Sequence, residues 1–166
     1  MKEKFSKRVQ SIIKQSKEEA IELGHSYVGS EHILLGLLKV NSGKGKKILD
    51  IFNINIKEMI NSINTKIKTS GGTLNLGHLP LTRRAERILR NSYNEASSRG
   101  DSISDDIHLL LAMLKEPEGI ASSVLKSFSL DYETVSDLIF SDDGSYLVEE
   151  LEGDKNIKTK SKTCLL

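Results

Sequence analysis

Four groups of residues in this chain have types and spacings that could do chemistry. Lys44-Gly45-Lys46-Lys47 suggests a phosphate-binding loop, but such a loop needs Gly-x4-Gly-Lys-Ser/Thr after a strand, and neither condition is met. The run is expected to be the solvated basic start of a helix. The histidines are His25, His32, His78 and His108. His32 and His108 have no ligand partner at local metal spacing, and no nucleophile motif accompanies them as a Ser-His-Asp or Cys-His triad would require. Each falls at the second or third position of an apolar helix, where an imidazole can bond the neighbouring loop. Their expected role is structural, and no catalytic residue, metal or cofactor is expected.

Glu31 sits in the first turn of a helix beside Ser30. A carboxylate there complements the positive end of the helix dipole, worth about 0.3–1 kcal/mol. It could also present a planar fork to a guanidinium, and the sequence leaves both roles open. The last group is Arg83, Arg84, Arg87 and Arg90, spaced three and four apart on one helical face as in some nucleic-acid-binding helices. Glu86 interrupts that face, and the chain balances 24 basic against 23 acidic residues for a net charge of +1. No bulk attraction to nucleic acid follows, and none is expected as a partner.

These groups are held by a duplicated framework. Shifting the chain by 76 residues without a gap aligns Phe5–Phe52 with Leu81–Phe128. Identities include Arg8/Arg84, Ile12/Ile88, Ser16/Ser92, Glu19/Glu95, Gly24/Gly100, His32/His108, Leu35/Leu111 and Gly43/Gly119. A repeat of this kind is one structural unit used twice. In the first unit, Ser6 caps a helix of about 17 residues with Val9, Ile12, Ile13 and Ala20 inward and Gly24 at its end. The second helix follows a cap at Ser30 and is apolar almost all round, as a buried central helix must be. Ser42-Gly43 opens a third, and Asn55 with Glu58 opens a fourth. The second unit repeats the series from Thr82, Asp106, Gly119 and Asp131. Thr69–Pro80, with Gly71, Gly72 and Gly77, is the expected linker between repeats of about residues 5–68 and 81–140. Residues 141–166 are acidic, then basic, and weakly apolar, so they are expected to be a flexible charged linker. The predicted fold is all-α: eight helices in two four-helix repeats, packed through their central helices about a pseudo-two-fold axis.

The block Gly24-His-Ser-Tyr-Val-Gly-Ser-Glu-His-Ile-Leu-Leu-Gly-Leu-Leu38 resembles the N-terminal domain of Clp-type AAA+ unfoldases, most of all the ClpC type that partners the ClpP peptidase. The resemblance covers about residues 1–140. It implies a substrate- and adaptor-recognition domain, with ATP used only by modules beyond this chain; a stand-alone accessory protein docking onto a Clp complex is the alternative. It further implies that Glu31 holds the guanidinium of phosphoarginine while Ser6, with Lys7 and Arg8, meets the phosphate. In the second repeat Thr82 and Arg84 match, but Ile107 stands where Glu31 should be, and Asp106, one residue earlier, points about 100° away. That site is either lost or rebuilt by Asp105 and Asp106, and loss is the expectation. The isolated domain is expected to be a monomer, with a hexameric unfoldase and ClpP as partners.

The single cysteine, Cys164, fits a reducing compartment. The charged N-terminus lacks a signal-peptide core, and no apolar run approaches the roughly 20 residues needed to span a bilayer. A cytoplasmic, membrane-free location is expected.

Overall fold

A computed structural model of the chain describes residues 4–40, 42–67 and 79–140. Most of the expected inter-repeat linker, the expected tail over 141–166, His78 and Cys164 lie outside the described residues. Among the described residues the regular secondary structure is helical, joined by turns and loops that carry two isolated bridges. The first repeat contains α1 (Lys7–Glu22), α2 (Ser30–Val40), α3 (Lys44–Ile51) and α4 (Ile56–Lys66). The second contains α5 (Arg83–Ser98), α6 (Asp106–Lys115), α7 (Ile120–Ser127) and α8 (Tyr132–Phe140).

The caps lie where the sequence puts them, because a helix start leaves amides that a short polar side chain can satisfy. The Ser6 hydroxyl accepts from the Val9 amide at 3.1 Å, Thr82 from Ala85 at 3.0 Å, and Asn55 from Glu58 at 3.0 Å. Gly24 and Gly100 end α1 and α5 with φ of 76° and 85°, where a side chain would be strained. Ser30 differs from expectation: it is the first residue of α2 and not its cap. His32 does the capping instead, its Nδ1 accepting from the Gly29 amide at 2.8 Å. His108 does the same for α6, accepting from the Asp105 amide at 2.9 Å.

The two all-apolar helices are central. Ile33, Leu34 and Leu35 of α2 and Leu109, Leu110 and Leu111 of α6 are all at most 1% exposed. Each leans on the long helix before it, and a matching ion pair ties each pair of helices: Lys39 to Glu19 at 2.9 Å, and Lys115 to Glu95 at 3.0 Å. The sequence predicts packing of the repeats through their central helices, but these meet chiefly other helices and not each other. α2 packs on α5 and α7, and α6 packs on α1 and α3, while α4 meets α7. Each central helix is already covered on one side by its own long helix, so the flanking helices of the other repeat close the remainder.

Gly36 sets the closeness of the α1–α2 crossing. A Cβ there would lie 2.6 Å from the Ile12 carbonyl oxygen and 2.6 Å from the Ser16 hydroxyl. The equivalent residue in α6 is Ala112, which is fully buried without such a conflict. Gly36→Ala is therefore expected to lose about 1 kcal/mol net, since overpacking outweighs the helix preference of alanine. Leu35→Ala, at a site 1% exposed, should lose about 2–5 kcal/mol. Urea unfolding should report both losses in one cooperative transition. Two separate transitions would show that the repeats do not share a core.

Candidate functional site

Two short backbone exchanges decide which residues meet. The Ser6 amide donates to the Ser104 carbonyl at 2.9 Å, and the Ser104 amide donates to the Lys4 carbonyl at 2.7 Å. In the same way the Val28 amide donates to Pro80 at 2.9 Å, and the Thr82 amide to Val28 at 2.9 Å. Phe5 is equivalent to Leu81 and Val28 to Ser104, so this is one bridge made twice about the pseudo-dyad. The start of α1 thus lies against the loop entering α6, and the start of α5 lies against the loop entering α2. Sequence grouped Ser6, Lys7 and Arg8 with Glu31 inside the first repeat. The fold instead brings Ser6 and Arg8 to Asp105, and brings the Glu31 loop to Thr82.

At the α1–α6 junction the Ser6 hydroxyl donates to Asp105 Oδ1 at 2.9 Å. Arg8 Nη1 lies 3.2 Å from both oxygens of Asp105. Burial works to raise the Asp105 carboxyl, but the Asp106 amide, the Ser6 hydroxyl and Arg8 outweigh it and hold it below its ordinary value. Lys7 is exposed. An open cleft of about 270 Å³ borders this junction, lined by Ser6, Lys44, Ile103, Asp105, Ile107 and His108 among others. Asp106 is not part of it. Its side chain is turned inward, 1% exposed, with Oδ2 accepting from the Gly45 amide at 2.8 Å. Burial, and then the charge of Asp105, push its pKa up to about 6. Asp106 is a joint between α6 and α3, and so cannot stand in for Glu31.

At the α5–α2 junction Thr82 caps α5, and Arg84 is drawn back toward Glu116 and Glu118, at 3.8 and 3.9 Å. Arg87 pairs with both oxygens of Glu116, at 2.8 and 2.7 Å, which accounts for two of the basic residues on that face. Glu31 folds back over Gly29, whose added Cβ would sit 2.7 Å from Glu31 Oε1. Gly29 is the counterpart of Asp105. The first repeat therefore fills with a glutamate from two positions on the space that the second fills with Asp105. Among the described residues, no hydrogen bond or ion pair engages the Glu31 carboxylate. Asp105 is the junction residue that the sequence pattern underweights, and its one-residue step from Asp106 is the available signal.

The histidines support the α2 loop. His32 Nδ1 accepts from Gly29, so its Nε2 carries the proton and donates to His25 Nδ1 at 2.8 Å. Tyr27 stacks on His25 with ring centroids 5.4 Å apart. Burial, then His25, lower the His32 pKa to about 4. His108 is lowered by burial too, against the pull of Asp101, whose Oδ2 lies 3.3 Å from His108 Nε2.

His32 and Asp106 have opposite pH signatures. Stability from neutral His32 is present above about pH 6.5 and lost as pH falls toward about 4. For Asp106 the folded pKa is raised, so its contribution is present below about pH 3.8 and lost as pH rises through about 6. Asp106→Asn removes the second effect and keeps an acceptor for Gly45. Relative to wild type it should gain about 1–3 kcal/mol in urea stability between pH 4 and pH 8. A constant difference across that range would mean that Asp106 does not titrate as buried.

Among the described residues the molecule is an all-helical double repeat with loops exchanged at both helix starts, the arrangement of a helical repeat domain. The chain belongs to the Clp repeat N-terminal domain family, whose model matches residues 4–128 and, overlapping, 81–159. It is 31% identical over 98% of its length to the ClpA homologue of Pyropia yezoensis, an ATP-binding subunit of the ATP-dependent Clp protease, and spans 20% of that relative. It is 37% identical over 79% of its length to the chloroplastic chaperone ClpC1 of Oryza sativa, and spans 14% of it. In structure it is similar to the N-terminal domain of the ClpD chaperone of Arabidopsis thaliana, with a TM-score of 0.61 at 18% identity over 81% of this chain and 90% of that one. Among the described residues no helix is long and apolar enough to cross a membrane.

Proposed function

We propose that the chain is the substrate- and adaptor-recognition domain of a ClpC-like AAA+ unfoldase working with the ClpP peptidase in regulated protein degradation, and that Glu31 takes the guanidinium of phosphoarginine on marked proteins. Its partners are protein substrates, adaptor proteins and the rest of a hexameric unfoldase. The observation that carries the reading is the Glu31 carboxylate: it stands at a helix start, uncommitted among the described residues, and its loop is bonded to the start of α5. Phosphoarginine joins a delocalised cation to a phosphate. Its host needs a carboxylate fork beside an anion-binding helix start. Glu31 supplies the fork. The helix start next to it is that of α5, so the phosphate role assigned from sequence to Ser6 passes to Thr82, with the exposed Arg83 adding charge.

Leaving a guanidinium unpaired in a desolvated site forfeits about 1.5–3 kcal/mol. Calorimetry with free phosphoarginine on the full chain should find one site, weakened about tenfold to hundredfold by Glu31→Ala. Undiminished binding by that variant would overturn the assignment.

A further inference from the structure

Glu31 and Asp105 are the carboxylates beside the two exchanged loops, yet they differ in state. Glu31 is uncommitted among the described residues, while Asp105 already holds a guanidinium, that of Arg8. The counterpart of Arg8 is Arg84, and it makes no such crossing. Arg84 is held within its own repeat by Glu116 and Glu118, at 3.8 and 3.9 Å. The residues equivalent to Glu116 and Glu118 in the first repeat are Val40 and Ser42. Arg8 therefore has no carboxylate at those positions of its own repeat to hold it back.

Both arginines start from the same platform. A Cβ on Gly43 would collide with Arg8 Nε and Cδ, and one on Gly119 would lie 2.8 Å from Arg84 Cδ. Each side chain thus lies flat across a glycine, and the position of the available carboxylate decides where its guanidinium ends. Where Glu116 and Glu118 are present the arginine stays home. Where Val40 and Ser42 replace them, it crosses the junction.

We propose that Arg8 is an internal ligand of the second-repeat pocket: its guanidinium occupies the Asp105 fork, so the domain has one open guanidinium site at Glu31 and one self-closed site at Asp105. This rests on the reading of Glu31 as a guanidinium fork. The closed pocket takes the same class of group, a guanidinium-bearing side chain, once Arg8 is displaced. A tethered competitor acts at an effective concentration of the order of mM, so a dilute external guanidinium loses to it. The resulting asymmetry comes from Val40 and Ser42, at the end of α2 and just beyond it, and not from the carboxylates themselves.

The test uses the full chain, methylguanidinium as probe, and the carboxylate carbon signal of Asp105 in NMR. In Arg8→Ala, Asp105 should respond to millimolar methylguanidinium, while in wild type it should respond at least about tenfold more weakly. Ser42→Glu, an exposed change that restores the counterpart of Glu118, should open the pocket with Arg8 still present. In Arg8→Ala the number of phosphoarginine sites seen by calorimetry should rise from one to two. If wild type binds no phosphoarginine, the Glu31 reading fails, and the methylguanidinium response of Asp105 still decides whether Arg8 closes its pocket. An Asp105 signal that ignores methylguanidinium in both folded variants, or responds equally in wild type, overturns the proposal.

Discussion

The arrangement depends on a pair of two-bond backbone exchanges, Lys4 and Ser6 with Ser104, and Pro80 and Thr82 with Val28. Each satisfies polar groups just outside a helix start, where the backbone has no partner within the helix. Each also fixes the approach of one repeat to the other at a polar seam beside the apolar core. With the seam fixed, α2 must meet α5 and α7, and α6 must meet α1 and α3. Asp105 then faces Ser6 and Arg8 at the helix start of the opposite repeat. The geometry of both junctions follows from four backbone hydrogen bonds.

Much of this was legible in the sequence. The 76-residue offset gives the duplication, and apolar residues on every side of α2 and α6 give their burial. Ser6, Thr82 and Asn55 are caps because short polar side chains before apolar periodic segments have few other uses. The partnering was not legible. An offset states which residues are equivalent, and it is silent on whether equivalent elements meet within a repeat or across it. Ser6 could therefore be grouped with Glu31 by motif and still fold against Asp105. The central helices misled in the same way, since their apolar surface says that they are covered and does not say by what. Gly36 was hidden for another reason. Its role is a distance of 2.6 Å to the Ile12 carbonyl, and no composition or period encodes that.

The charged interior shows how strongly solvent exclusion governs this fold. Glu19 and Glu95 are each 5% exposed, and each is matched by a lysine from the next helix. Asp106, 1% exposed, has the Gly45 amide on one oxygen, while its other oxygen has no hydrogen-bond partner among the described residues. A carboxylate in that position favours its proton, as the rise to about 6 reflects. His32 and His108 meet the same pressure from the opposite sign of charge and remain neutral. Their neutrality keeps an Nδ1 lone pair available to the amides that open α2 and α6.

Because the loops are exchanged, each pocket draws its carboxylate from one half of the chain and its helix start from the other. A lone repeat applying the same bridge to a second copy of itself would build a symmetric dimer with two identical pockets. Fusing the copies into one chain releases that constraint. A change in one half then alters the two junctions unequally, so the halves of one chain need not remain alike.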